Sequence, residues 1–166
     1  MRARQRGLSL LEATAGLSLG AVVLVVAVPV VRREVRASHQ AEAREALLRI
    51  AEGAATYAHA PKHRHALPEA VARTPAEVPR GVAVALPEEA WEAWKPLGGP
   101  VVPLGYAQRY AYTFARPKDE PGAFLAIAEG DLDGDGAIAR ATLRGAVDAN
   151  GTVALAPDVE FVDALE

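Results

Sequence analysis

The spacing of hydrophobic positions changes twice along this chain. From Leu8 to Val31 the side chains are apolar or small and Glu12 is the only charge, with 19 uncharged residues in a row over Ala13–Val31. A helix of that length measures ~28 Å at ~1.5 Å per residue, close to the hydrocarbon thickness of a bilayer. From Arg32 to Tyr57 there is no proline and a single glycine, Gly53. Here Leu47, Ile50, Ala51, Ala54 and Ala58 recur at helical spacing, with Glu42, Glu45, Arg49 and Glu52 on the other faces. Glu45 and Arg49 stand in the favourable i,i+4 order. The pattern predicts one helix over 8–58, membrane-spanning over about 8–31, with Pro61 ending it.

Seven prolines fall between 59 and 100, which predicts an irregular connection. Within it Trp91 and Trp94 share one face of a short helix and are expected to tuck the loop onto a sheet. Beyond residue 100 the period becomes two. Tyr106, Tyr110, Tyr112 and Phe114 share one parity, the alternation of a half-buried strand. A turn over Lys118–Gly122 leads to a strand over Phe124–Ala128, and another is expected over Ile138–Leu143. Asn150-Gly151 predicts a two-residue hairpin into Thr152–Ala156, with a last short strand at Glu160–Val162. Residues 101–166 therefore read as an antiparallel sheet of three to five strands packed on the amphipathic half of the helix. The expected fold class is α+β.

Composition narrows the chemistry. Eight of the nine aromatic residues lie at or after Trp91, so the apolar weight of the first third is aliphatic. A net charge of −3 argues against nucleic acid as the main partner. The absence of cysteine excludes thiol catalysis and disulfides. The serines are Ser9, Ser18 and Ser38, all on the predicted helix, so no serine nucleophile stands in the sheet region. There is also no Gly-rich phosphate loop and no H-E-x-x-H. No enzyme activity is expected.

The N-terminus carries more information than a generic anchor. Arg2, Arg4 and Arg6 precede Gly7, and Arg32, Arg33 and Arg36 close the apolar run. A secretory signal peptide fits poorly, because the run exceeds an ordinary h-region of ~7–15 residues and no A-x-A-like site ends it. Glu12 lies just inside the run, and Pro29 lies deep within it. A first-turn carboxylate is favoured by the helix dipole, and a proline kink is tolerated in membrane helices.

Together, Arg-Gly7-Leu8-Ser9-Leu10-Leu11-Glu12 and the run behind it resemble the class III leader of type IV pilins and pseudopilins. The resemblance covers about the first 30 residues. It implies that a prepilin peptidase cuts between Gly7 and Leu8, removing residues 1–7 as a cytoplasmic leader, and methylates the new amine of Leu8. It places Glu12 at the fifth mature position and Pro29 at the twenty-second. Leu8 departs from the commoner Phe, at a position that mainly requires an apolar side chain. The implied protein is a filament subunit with one pass through the inner membrane, its head in the periplasm and, after assembly, at the cell surface. Its implied partners are the peptidase, other pilin subunits, the inner-membrane assembly machinery and, before assembly, lipid. Helices packed side by side would bring Glu12 of one subunit to the Leu8 amine of the next, offsetting two charges in apolar surroundings. A pseudopilin of a type II secretion system shares every one of these features. A membrane-anchored periplasmic domain that binds calcium or another ligand is the alternative from a different class.

One further motif is dense enough to carry chemistry. In the acidic loop 130–136, Asp131, Asp133 and Asp135 alternate and Gly136 follows, as in the first half of an EF-hand loop. Calcium is the cation this set suits. The twelfth position is Thr142, where a bidentate Glu would be needed, and strands are expected to flank the loop. A turn satisfied by its own Asp and Gly residues is the simpler reading. Calcium-stabilised loops in some pseudopilins add to the calcium reading through the resemblance. His59, His63 and His65 invite a metal too, but Pro61 breaks the helix that would align the first two, and a solvated loop is expected.

Overall fold

The computed structural model describes residues 10–63, 65–103 and 105–162, with side chains 11–13, 15, 19, 20, 24, 26, 32 and 36 outside the description. Gly7 and Leu8 lie outside the described residues; Glu12 falls in the first turn of a long helix, without its side chain. The fold is α+β. Helix α1 runs over Leu10–His59 and continues through Pro29. The chain divides into two units, Met1–Ser38 and His39–Glu166, so the boundary falls within α1.

In the second unit α1 is buried on one stripe. Ala43, Leu47, Ile50 and Ala54 follow one another at three- and four-residue steps, with Ala46, Ala51 and Ala58 beside them, and all seven are buried. Glu45 and Arg49 pair on the opposite, solvated side at 2.6 Å. Gly53 meets the protein rather than solvent. A Cβ there would stand 2.2 Å from the Leu97 carbonyl oxygen, so only glycine lets that backbone approach so closely.

The stripe packs on the inner face of an antiparallel sheet. Its strands are β1 (Val71–Thr74), β4 (Ala111–Ala115), β5 (Ala123–Gly130), β6 (Ala139–Val147), β7 (Val153–Leu155) and β8 (Glu160–Val162); β2 (Val84–Ala85) and β3 (Ala107–Gln108) form a separate pair. The order is β1-β4-β5-β6-β7, and β8 pairs with the other half of β6. Register puts Tyr112 opposite Ala128 and Phe114 opposite Ala126. It also puts Ala128 opposite Ala141 and Phe124 opposite Gly145. These inward residues share the hydrophobic core with Leu47, Ile50 and Trp94. Small alanines line the inner face of the sheet, and the Phe114 and Phe124 rings pack against each other in the core with centroids 5.4 Å apart. Gly145 is required because a Cβ there would lie 2.3 Å from the Phe124 ring.

Four sequence expectations are corrected. The proline-rich stretch 59–100 is not wholly irregular: β1 pairs with β4 and β2 with β3. Residues 101–166 supply five strands of the sheet, within the expected three to five, and β1 from the proline-rich stretch makes the sixth. Tyr106 lies outside the strand and is 68% exposed, while Tyr110, Tyr112 and Phe114 are buried. The β6–β7 connection is a longer loop than Asn150-Gly151 alone, because Asp148 closes it by accepting from the N–H groups of Asn150 and Thr152. Of the two tryptophans on α2 (Ala90–Trp94), Trp94 enters the core and Trp91 stays 43% exposed.

Candidate functional site

Three regions carry functional chemistry, beginning with the first part of α1. Between Leu10 and Ser38 every described side chain is exposed, including Leu17 at 81% and Val25 at 73%. The helix is long and apolar enough to cross a membrane. Length and composition suit a membrane span. A contiguous apolar surface of this kind is not sustained in water by a lone helix. Pro29 lies in this stretch and leaves the helix unbroken.

The second region is the acidic loop between β5 and β6. Asp131 is 2% exposed, and its carboxylate closes the loop: Oδ1 accepts from Gly134 N at 2.8 Å and Oδ2 from Gly136 N at 3.1 Å. Gly134 and Gly136 hold φ of 82° and 99°, values that favour glycine and let both N–H groups turn back onto Asp131. The Asp131 backbone is tied to the proline-rich segment, its N–H to Pro79 O and its carbonyl to Gly81 N. Asp133 and Asp135 are exposed, and each accepts one loop N–H, from Asp135 and Ala137 respectively.

The loop thus closes on its own donors, as the turn reading expects. The three carboxylates also converge, with one oxygen of each within 4.8 Å of the others. That is close enough to share a cation held at ~2.4 Å. Thr142 is committed to β6 opposite Ile127 and Glu160, so remaining calcium ligands would have to come from backbone carbonyls or water.

The third region is a cleft of about 800 Å³ between α1 and the 94–103 segment. Arg49, Lys62 and Lys95 line it against one carboxylate, Glu52. His63 stacks on Tyr57 with ring centroids 3.5 Å apart, and desolvation followed by the Lys62 charge lowers its pKa. His59 Nδ1 bonds to Ala55 O and His65 packs over Gly151, so the three histidines take separate partners.

One buried charge escaped the sequence reading. Glu129 on β5 is 8% exposed and holds Arg140 of β6 at 2.5 Å and Arg73 of β1 at 3.4 Å. Its signal was a lone carboxylate inside an otherwise apolar strand, which demands a cationic neighbour. Across the inner face, Tyr110 donates to the His39 carbonyl at 3.1 Å, and burial first, then Glu42, pushes its pKa up to about 12. Burial raises Tyr112 further, and its buried hydroxyl has no hydrogen-bond partner among the described residues.

Comparison of the chain with protein-family models, with curated proteins and with solved structures finds no match.

Proposed function

We propose that this chain is a structural subunit of a type IV pilus or pilus-like filament. In this reading prepilin peptidase processes it at Gly7–Leu8, and inner-membrane machinery assembles it. The observation that carries the reading is the contrast within α1. One part exposes every described side chain, most of them apolar, and the other buries a stripe on its own small sheet. Such a helix needs lipid for its first part before assembly and the matching helices of other subunits afterwards.

The leader sequence supports the same reading, because cleavage before Leu8 would leave the whole span in place and create an amine four residues from Glu12. Glu12 would then receive a neighbour's amine, and Pro29 would adapt the helix to close packing. The head would be periplasmic and then surface-exposed, without enzymatic activity. Asp131, Asp133 and Asp135 would hold calcium as a stabilising ion of the head. Their convergence favours a second reading, a pseudopilin of a type II secretion system, through its likeness to calcium-stabilised loops. Recovery of the shortened chain in filaments sheared from cells tests the primary reading. A chain found only at full length and only in membranes would contradict it.

A further inference from the structure

The cleft and the acidic loop carry opposite charge and sit at different levels of the head. Leu132 of the loop lines a small cavity with Gln40, near where α1 enters the head. The cleft is lined by α1 from Arg49 to Ala60. Gln40 and Gly53, thirteen residues apart on α1, are separated by ~20 Å along the axis. The cleft is basic on a chain whose net charge is −3. Arg49 is held by Glu45 and Lys95 by Glu92, whereas Lys62 pairs with no carboxylate among the described residues. On the loop, Asp133 and Asp135 each spend one oxygen on a loop N–H, and the other meets no donor among the described residues. Ile138 stands next to them, 43% exposed.

We propose that the cleft of one subunit receives the acidic loop of a second copy, with Lys62 and Lys95 meeting Asp133 and Asp135. The inference rests on the filament reading and adds the contact by which heads stack. Two copies meeting cleft to cleft would oppose like charges, so a symmetric dimer through this surface is disfavoured. A contact between different patches does not close on itself and repeats open-ended, as a filament requires. Ile138 adds apolar contact against the proline rim of the cleft, where Pro96 and Pro100 lie. A cation held by the loop would draw on the same oxygens, so the contact is strongest in chelator.

The chain has no cysteine, which makes the test direct. Full-length Lys62→Cys and Asp133→Cys chains, each with its own tag, are co-expressed and oxidised with copper phenanthroline in chelator. Each chain then has one thiol, so any disulfide joins two copies. The mixed dimer should exceed either like dimer several-fold, because the docking places a cleft thiol beside a loop thiol and never two like thiols together. As a second variant, Lys62→Glu should lower recovery of the stacked form, and adding Asp133→Lys should restore it. The oxidation is run in sheared filaments and in membranes, so the contact is read whether or not filaments form. Filaments without a preferred mixed dimer would overturn the docking and leave the filament reading standing. Absence of filaments from the unmodified chain would sink the filament reading, and a mixed dimer no more abundant in membranes than the like dimers would then sink the docking as well.

Discussion

Between Leu10 and Ser38 α1 exposes every described side chain, whereas between Ala43 and Ala58 seven side chains of the same helix are buried. Both stretches are rich in aliphatic residues, so hydrophobic content does not separate them. The arrangement of charge does. The first stretch holds Glu12 alone before Arg32 and is apolar on all sides, which suits lipid or identical helices. The second interleaves Glu42, Glu45, Arg49 and Glu52 with one apolar stripe, which suits a sheet on one side and water on the other. Substitutions in the first should therefore change assembly without changing head stability, and those in the second should do the reverse.

The largest effect is expected at Glu12. Glu12→Leu makes the span more apolar, so insertion should hold and the head should melt unchanged. A neighbour's Leu8 amine would lose its acceptor in the filament core, a loss of several kcal/mol. Filament recovery should fall sharply while membrane levels hold; normal incorporation of this variant would remove the pairing mechanism.

Next comes the buried stripe. Leu47 is fully buried and Leu48, one residue on, is 43% exposed. Leu47→Ala should destabilise the head by ~2–5 kcal/mol, and Leu48→Ala by less than ~1 kcal/mol. Denaturant melts of head protein beginning near His39 read the difference. Equal effects would mean that this half of α1 does not pack as described.

That stripe was legible in the sequence because a helix announces its buried side through local periodicity. The strands Ala123–Gly130 and Ala139–Val147 were legible for the same reason, extending only a few residues beyond the alternation that marked them. β1 was not. It is four residues long with Val71 its one buried member, and Pro68 and Pro75 flank it. Its existence depends on pairing with β4 some forty residues away, which no local pattern reports. The acidic loop was legible as a cluster. What the sequence could not convey is that Asp131 differs from its neighbours, since its burial follows from Pro79 and Gly81 arriving from that same proline-rich stretch. The basic cleft is likewise assembled from residues far apart in the chain.

The inequality among the aspartates sets the next expectation. Asp131→Ala strips two loop N–H groups of a buried acceptor and should cost the head ~2 kcal/mol in chelator. Asp133→Ala should cost little there. If the loop binds calcium, millimolar calcium should raise melting of the unmodified head, and Asp133→Ala should abolish that rise. Identical melting in calcium and chelator would leave the loop a self-closed turn.

The smallest effect is alkaline. Burial, then Glu42, raises the pKa of Tyr110 to about 12, and Tyr112 is raised further by the same causes. An unfolded tyrosine releases its proton near pH ~10. Above that value the unfolded chain binds fewer protons than the folded one, so stability present below pH ~10 is lost as pH rises towards the folded values. Tyr112→Phe should change little at neutral pH, since its hydroxyl has no partner to lose among the described residues, and should flatten the alkaline decline. An unchanged decline in this variant would contradict the assigned burial.

The central claim is that the first half of α1 is at once membrane anchor and filament core, released from its leader without losing its span. Intact mass, together with the N-terminal residue, of protein taken from membranes and sheared filaments tests it most directly. Removal of seven residues from 166 leaves a chain of 159 that begins with N-methyl-Leu8, and loss of three arginines takes the net charge from −3 to −6. Recovery of that species, with Gly7→Val held at full length, is the predicted result. A mature chain beginning at Met1, or beyond Arg32 with the span removed, would contradict the account.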